Sequence, residues 1–166
     1  SILPAQIGLF NYTLTGGRVI FSTTFSATIA YADLKAINDF APVDSVSSNR
    51  EYNSGSNPIP TDADGRFLGN TKLISVENGY PELTFETSTQ LFSWRKIYKR
   101  SDAQYIYLVD SSRSNPIRYL GRPSIGVIDN NKKFVLVALP LHRFNGGSKN
   151  LPAFFKKVLV NEFGLN

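Results

Sequence analysis

The sequence predicts an α/β fold, a three-layer sandwich in which helices cover both faces of a sheet. Three observations lead there. A helix-spaced segment over 4–14 runs through Gly16-Gly17 into the short apolar run Arg18-Val19-Ile20-Phe21, and a second helix-spaced segment follows at 32–40. The chain then closes on a β-hairpin and an amphipathic helix. Helices alternating with continuously apolar strands are the pattern of parallel sheets, whose crossovers place helices on the faces. A chain of 166 residues fits one domain, 1–166.

Each element has its own signal. In 4–14 and just before it, Leu3, Ile7, Phe10 and Leu14 recur at three-to-four spacing, Pro4 suits the first turn, and Gly16-Gly17 stops the helix. The run 18–21 reads as a strand buried on both faces. Segment 32–40 repeats the helical spacing at Leu34, Ile37 and Phe40 until Pro42 ends it. From 44 to 70, Ser, Asn, Gly, Pro and Asp predict a long loop or lid. Strands then dominate: 72–76, a turn at Asn78-Gly79, 82–86, and the aromatic and β-branched run 104–109. Segments 124–128 and 133–139 form a hairpin about an Asx turn at Asp129-Asn130-Asn131. The last helix, 151–163, gathers Leu151, Phe154, Phe155, Val158 and Leu159 on one face and is capped by Gly164.

Composition narrows the chemistry. The chain is 42% hydrophobic and 13% aromatic, enough for a core, and it has no cysteine and one histidine, His142. Disulfide frameworks, thiolate nucleophiles, Cys-based metal sites and two-histidine metal motifs are thereby excluded. The sequence calls for no cofactor and no metal. No apolar run reaches the roughly 18 residues of a membrane span. With 14 Asn, 17 Ser and 10 Thr against 19% charged residues, a cysteine-free chain suits an exported or cell-surface protein. The missing initiator methionine suggests a part of a longer polypeptide.

Two segments could carry chemistry. Ser22, Thr23 and Thr24 follow the first strand at its carboxyl end, where open α/β sheets bind ligands and where a nucleophile can stand on the strand-to-helix turn. A tight elbow needs glycine beside the nucleophile, and here Phe21, Thr24 and Phe25 are the neighbours. The second segment ends Leu139-Pro140-Leu141-His142-Arg143-Phe144-Asn145, delivering the one imidazole to a strand end where a general base would be held. No carboxylate lies between Asp129 and Glu162 to orient it. Ser22, Thr23, Thr24, His142, Arg143 and Asn145 are therefore the candidate cleft, with Ser22 or Thr23 and His142 as catalytic candidates should Asp110 or Asp129 reach the ring.

Other patterns read as structural. Ser93-Trp94-Arg95-Lys96-Ile97-Tyr98-Lys99-Arg100 interleaves cations with aromatics, as single-stranded nucleic-acid sites do, but no nucleic-acid module surrounds it. It reads as a solvated edge with Trp94 and Tyr98 packing inward. Asp62-Ala63-Asp64-Gly65 begins like a calcium loop and then puts Arg66 and Leu73 where oxygen ligands belong. Tyr98, Tyr105, Tyr107 and Tyr119 could line a sugar-binding face, although half-buried strand positions account for them.

The helix, Gly16-Gly17, the strand ending Ser22-Thr23 and the later Leu139-Pro140-Leu141-His142 together resemble the class I glutamine amidotransferase-like, flavodoxin-like superfamily. The resemblance extends to Tyr80-Pro81-Glu82-Leu83 and Gly121-Arg122-Pro123-Ser124-Ile125-Gly126-Val127. It implies the later part of such a domain, with strand–helix units preceding Ser1. Active members carry a glycine-flanked cysteine at the elbow and a glutamate after the histidine; here Ser22-Thr23 and Arg143-Phe144 stand there. The resemblance therefore implies a degenerate, non-catalytic domain of the kind found at the C-terminal end of large bacterial exported proteins. Its expected partners are other domains of the same polypeptide or a small ligand, and not nucleic acid. The rival expectations are a Ser/Thr–His hydrolase and a carbohydrate-binding module.

Overall fold

The computed structural model describes residues 3–23, 41–46, 72–76, 79–85, 96–109, 124–144 and 150–165. Helix α1 (Leu3–Leu14) leads through Gly16, whose φ of 94° suits glycine, into strand β1 (Val19–Ser22). The remaining strands are β2 (Val43–Val46), β3 (Lys72–Ser75), β4 (Leu83–Thr84), β5 (Ile97–Lys99), β6 (Ala103–Val109), β7 (Ser124–Asp129) and β8 (Phe134–Val137). Helix α2 (Asn150–Lys156) widens into a π-helical turn over Lys157–Glu162 and stops at Gly164, whose φ is 66°.

These strands form a six-stranded mixed sheet in the order β1-β8-β7-β6-β3-β4 and a two-stranded sheet β2-β5. β1 and β8 run parallel, and every other pairing is antiparallel. The expected three-layer flavodoxin-like or amidotransferase-like α/β sandwich is thus overturned: the described residues are mostly sheet, with two short helices. The physical reason lies in what buries the apolar runs. β7 and β8 are almost wholly buried, but β8 has only one parallel neighbour, β1, and β7 is antiparallel to both of its neighbours. On one face Tyr107 of β6 meets Phe154 of α2, ring centroids 5.9 Å apart. On the other, the Lys99 amide of β5 donates to the Tyr105 hydroxyl at 3.2 Å. Cover from a helix on one side and a second sheet on the other gives the same sequence pattern as a parallel interior strand.

Tyr105 and Tyr107 reach opposite faces because β6 bulges. Tyr105 pairs with Val127 and Tyr107 with Gly126, so Ile106 is the extra residue and the side-chain alternation resets across it. Gly126 is required at this point, since a β-carbon there would stand 2.9 Å from Cβ of Tyr107.

The β7–β8 hairpin turns on Asp129, whose Oδ1 accepts the amides of Lys133 and Phe134 at 2.7 Å each. Lys132 adopts φ 57° in this turn. The loop expected over 44–70 starts differently, for Asp44–Val46 belong to β2; positions 47–70 lie outside the described residues, as do the expected helix 32–40 and the Asp62–Gly65 turn. Among the described residues β1 is an edge strand rather than a doubly buried one, with Val19 buried and Ser22 exposed. In α1, Leu9 packs toward the core, while Phe10 and Leu14, placed by spacing on the inner face, are exposed, Leu14 at 67%. In the last helix Phe154, Val158 and Phe163 are buried, and Phe155 and Leu159 are on the surface.

Candidate functional site

The parallel pairing of β1 with β8 aligns their carboxyl ends, so two segments more than a hundred residues apart in sequence meet there. Val137 pairs with Ser22, and the Thr23 amide extends the ladder by donating to the Val137 carbonyl at 3.2 Å. Beyond β8 the chain makes a single 3₁₀ turn, Leu141–Arg143, closed by Arg143 and Phe144 amides donating to the carbonyls of Pro140 and Leu141. Leu141 and Phe144 are buried, and Phe144 packs edge-on against Phe85 at 5.3 Å. His142 and Arg143, lying between those two anchors, face outward.

Of the candidate cleft, the structure brings Ser22, Thr23, His142 and Arg143 to one end of the sheet; Thr24 and Asn145 lie outside the described residues. Ser22 occupies its position through two strong contacts. Its hydroxyl donates to the Leu139 carbonyl at 2.9 Å and accepts the Leu141 amide at 2.8 Å. A serine hydroxyl has one hydrogen, and here that hydrogen points at a backbone carbonyl rather than an imidazole. Among the described residues no hydrogen bond or ion pair holds the His142 ring. Asp129 serves the opposite end of β8, where it caps the hairpin, and Asp110 lies outside the described residues.

Of the tyrosines, Tyr119 lies outside the described residues, and Tyr105 and Tyr107 do not share one face. Tyr107 is fully buried and donates to the Pro81 carbonyl at 2.6 Å; burial, reinforced by neighbouring Tyr80, pushes its phenol above the ordinary range. Tyr105 lies on the other face. Tyr98, expected to pack inward, is 38% exposed with the Lys96 ammonium 4.8 Å from its ring centroid. In the basic segment, Arg100 is held by a bidentate pair to Asp102 at 2.9 and 2.7 Å, which lowers that carboxyl's pKa. No group of three or more metal-ligating side chains occurs among the described residues.

Sequence reasoning missed a shallow groove of about 330 Å³ beside β1, walled by Tyr12, Ile20, Leu159, Phe163 and Leu165 with Arg18 at its rim. Gly17 also lines it, and a β-carbon there would collide with the Tyr12 ring. The one available sign was an excess of apolar residues at 158–165, more than a single buried helix face can use.

No family model, curated protein or solved structure matches the chain. Its chemistry must be read from its own residues. Among the described residues no helix is long and apolar enough to cross a membrane.

Proposed function

We propose that the chain is a non-catalytic accessory domain of an exported protein, one that binds or packs against a partner rather than transforming a substrate. The carrying observation is the Ser22 hydroxyl. It ties β1 to the turn after β8, its hydrogen committed to Leu139 and its lone pair to the Leu141 amide. A nucleophile must instead hand its hydrogen to a base about 2.6–3.2 Å away, itself oriented by a third group. His142 has no such orienting partner among the described residues. The cysteine-free, hydroxyl-rich composition supports export. Tyr105 and Tyr107, separated by the bulge, do not share a flat face, which favours this reading over a sugar-binding one.

An activity panel tests this. Purified chain incubated with ester and amide substrates should give no turnover above buffer, and Ser22→Ala should lower thermal stability while leaving that baseline unchanged. Turnover abolished by Ser22→Ala or His142→Ala overturns the proposal.

A further inference from the structure

Among the described residues the backbone of β1 is paired on one side, by β8. Val19 donates to the Lys133 carbonyl and Thr23 to the Val137 carbonyl, so residues 19, 21 and 23 face β8. Ile20 and Ser22 accordingly direct their N–H and C=O groups away from the sheet, and no partner for these groups exists among the described residues. Unpaired groups on an apolar edge are a template for another strand. Such edges are normally guarded by lysine, proline or a bulge; Val19-Ile20-Phe21-Ser22 has none of these. Its surroundings are apolar too, with the groove beside Ile20 on one flank and exposed Phe10, Tyr12 and Leu14 on the helix that precedes it.

We infer that two copies of this chain associate by antiparallel pairing of β1 with β1, extending the six-stranded sheet across a two-fold axis at Phe21. The register follows from which residues face outward: Ile20 of one copy opposes Ser22 of the other, each such pair exchanging both N–H···O bonds, and the Phe21 rings oppose each other as a non-hydrogen-bonded pair. The strand is therefore complementary to itself, as an isologous interface requires. Charge does not oppose a second copy on this surface. The chain is basic at +5, yet residues 3–23 hold a single charged side chain, Arg18. In the pairing centred on Phe21 the two Arg18 positions lie six residues apart along the strand, roughly 20 Å, more than twice the screening length of about 8 Å at physiological salt. Like charges are thus not opposed. The inference stands apart from the non-catalytic reading, since either an enzyme or a binding domain can be a dimer.

Sedimentation and light scattering on the full chain over 1–500 μM protein test it. The expected mass rises with concentration toward twice the 18.4 kDa of one chain. Ile20→Pro deletes one outward N–H without touching the ladder to β8 and should hold the mass at that of one chain with the far-UV spectrum unchanged. Amide hydrogen exchange on the wild type provides a readout independent of any variant. Ile20 and Ser22 amides should gain at least tenfold protection at high concentration, while Val19 and Phe21 stay protected throughout. A wild type that remains a monomer at every concentration overturns the inference. So does a dimer that survives in folded Ile20→Pro, or Ile20 and Ser22 amides whose exchange ignores concentration. Protection of those two amides only on adding an unrelated extended peptide would also overturn it, assigning the edge to a foreign strand.

Discussion

The two ends of β8 are both closed by a single side chain that accepts backbone amides, but they differ in chemistry. At the amino end Asp129 gathers two amides from its own turn, four and five residues away. At the carboxyl end Ser22 reaches across 117 residues to bind Leu139 and Leu141. The first is a local device, formed as soon as the turn forms. The second exists only once β1 has docked parallel to β8, so it reports the non-local contact that sets the edge of the sheet. The end that carries the chemically suggestive residues is thus held by a neutral hydroxyl serving the fold, and the carboxylate that a histidine would need is at work at the other end.

Substitutions between and at these ends separate their contributions. Gly126→Ala, in the strand that joins both clamps to the core, should cost most, about 3 kcal/mol, because the new methyl meets Cβ and the backbone of Tyr107 in a close-packed interior; chemical denaturation measures it. Asp129→Ala should cost about 2 kcal/mol by releasing two charge-assisted bonds at a partly exposed turn. Ser22→Ala should cost about 1.5 kcal/mol, leaving a carbonyl and an amide without their partner. The comparison predicts a kinetic difference as well. Asp129→Ala should slow folding, since its turn is local, whereas Ser22→Ala should mainly speed unfolding, since its contact forms last. Equal effects of the two on both rates would remove the distinction between the ends.

The same contrast explains what the sequence made legible. The hairpin could be read because Asp129-Asn130-Asn131 encodes its turn within a few residues, and β6 because its aromatic and β-branched run is long. The sheet's mixed order could not. The apolar run after Lys133 is equally compatible with parallel neighbours on both sides and with the observed parallel neighbour β1 and antiparallel neighbour β7. β2 escaped notice because two of its four residues, Asp44 and Ser45, are polar and its partner lies more than fifty residues downstream. The bulge at Ile106 leaves no mark on alternation until its partners Val127 and Gly126 are known. At the candidate site, the parallel pairing sets Ser22 and Thr23 beside the turn that carries His142 and Arg143, and the hydroxyl's occupation depends on a contact that no local pattern carries.

The smallest expected effect joins the hairpin end of β8 to the last helix. Glu162 accepts Lys157 at 2.9 Å and Lys132, from the Asp129 turn, at 3.1 Å, with its own side chain 11% exposed. Burial alone would raise its pKa, but hydrogen bonds and attraction from the two ammonium groups outweigh that and hold the carboxyl below the ordinary glutamate range. A carboxyl held lower in the folded than in the unfolded state stabilises at pH values above its unfolded pKa, and that contribution fades as acid protonates it through the lower folded value. Because the lysines are partly exposed, Glu162→Gln should cost only about 1 kcal/mol at pH 7. The melting temperatures of wild type and Glu162→Gln should then converge as acidification goes below the ordinary glutamate range. A difference that stays constant from pH 7 to pH 3 would show that packing of the side chain, and not its charge, ties the helix to the turn.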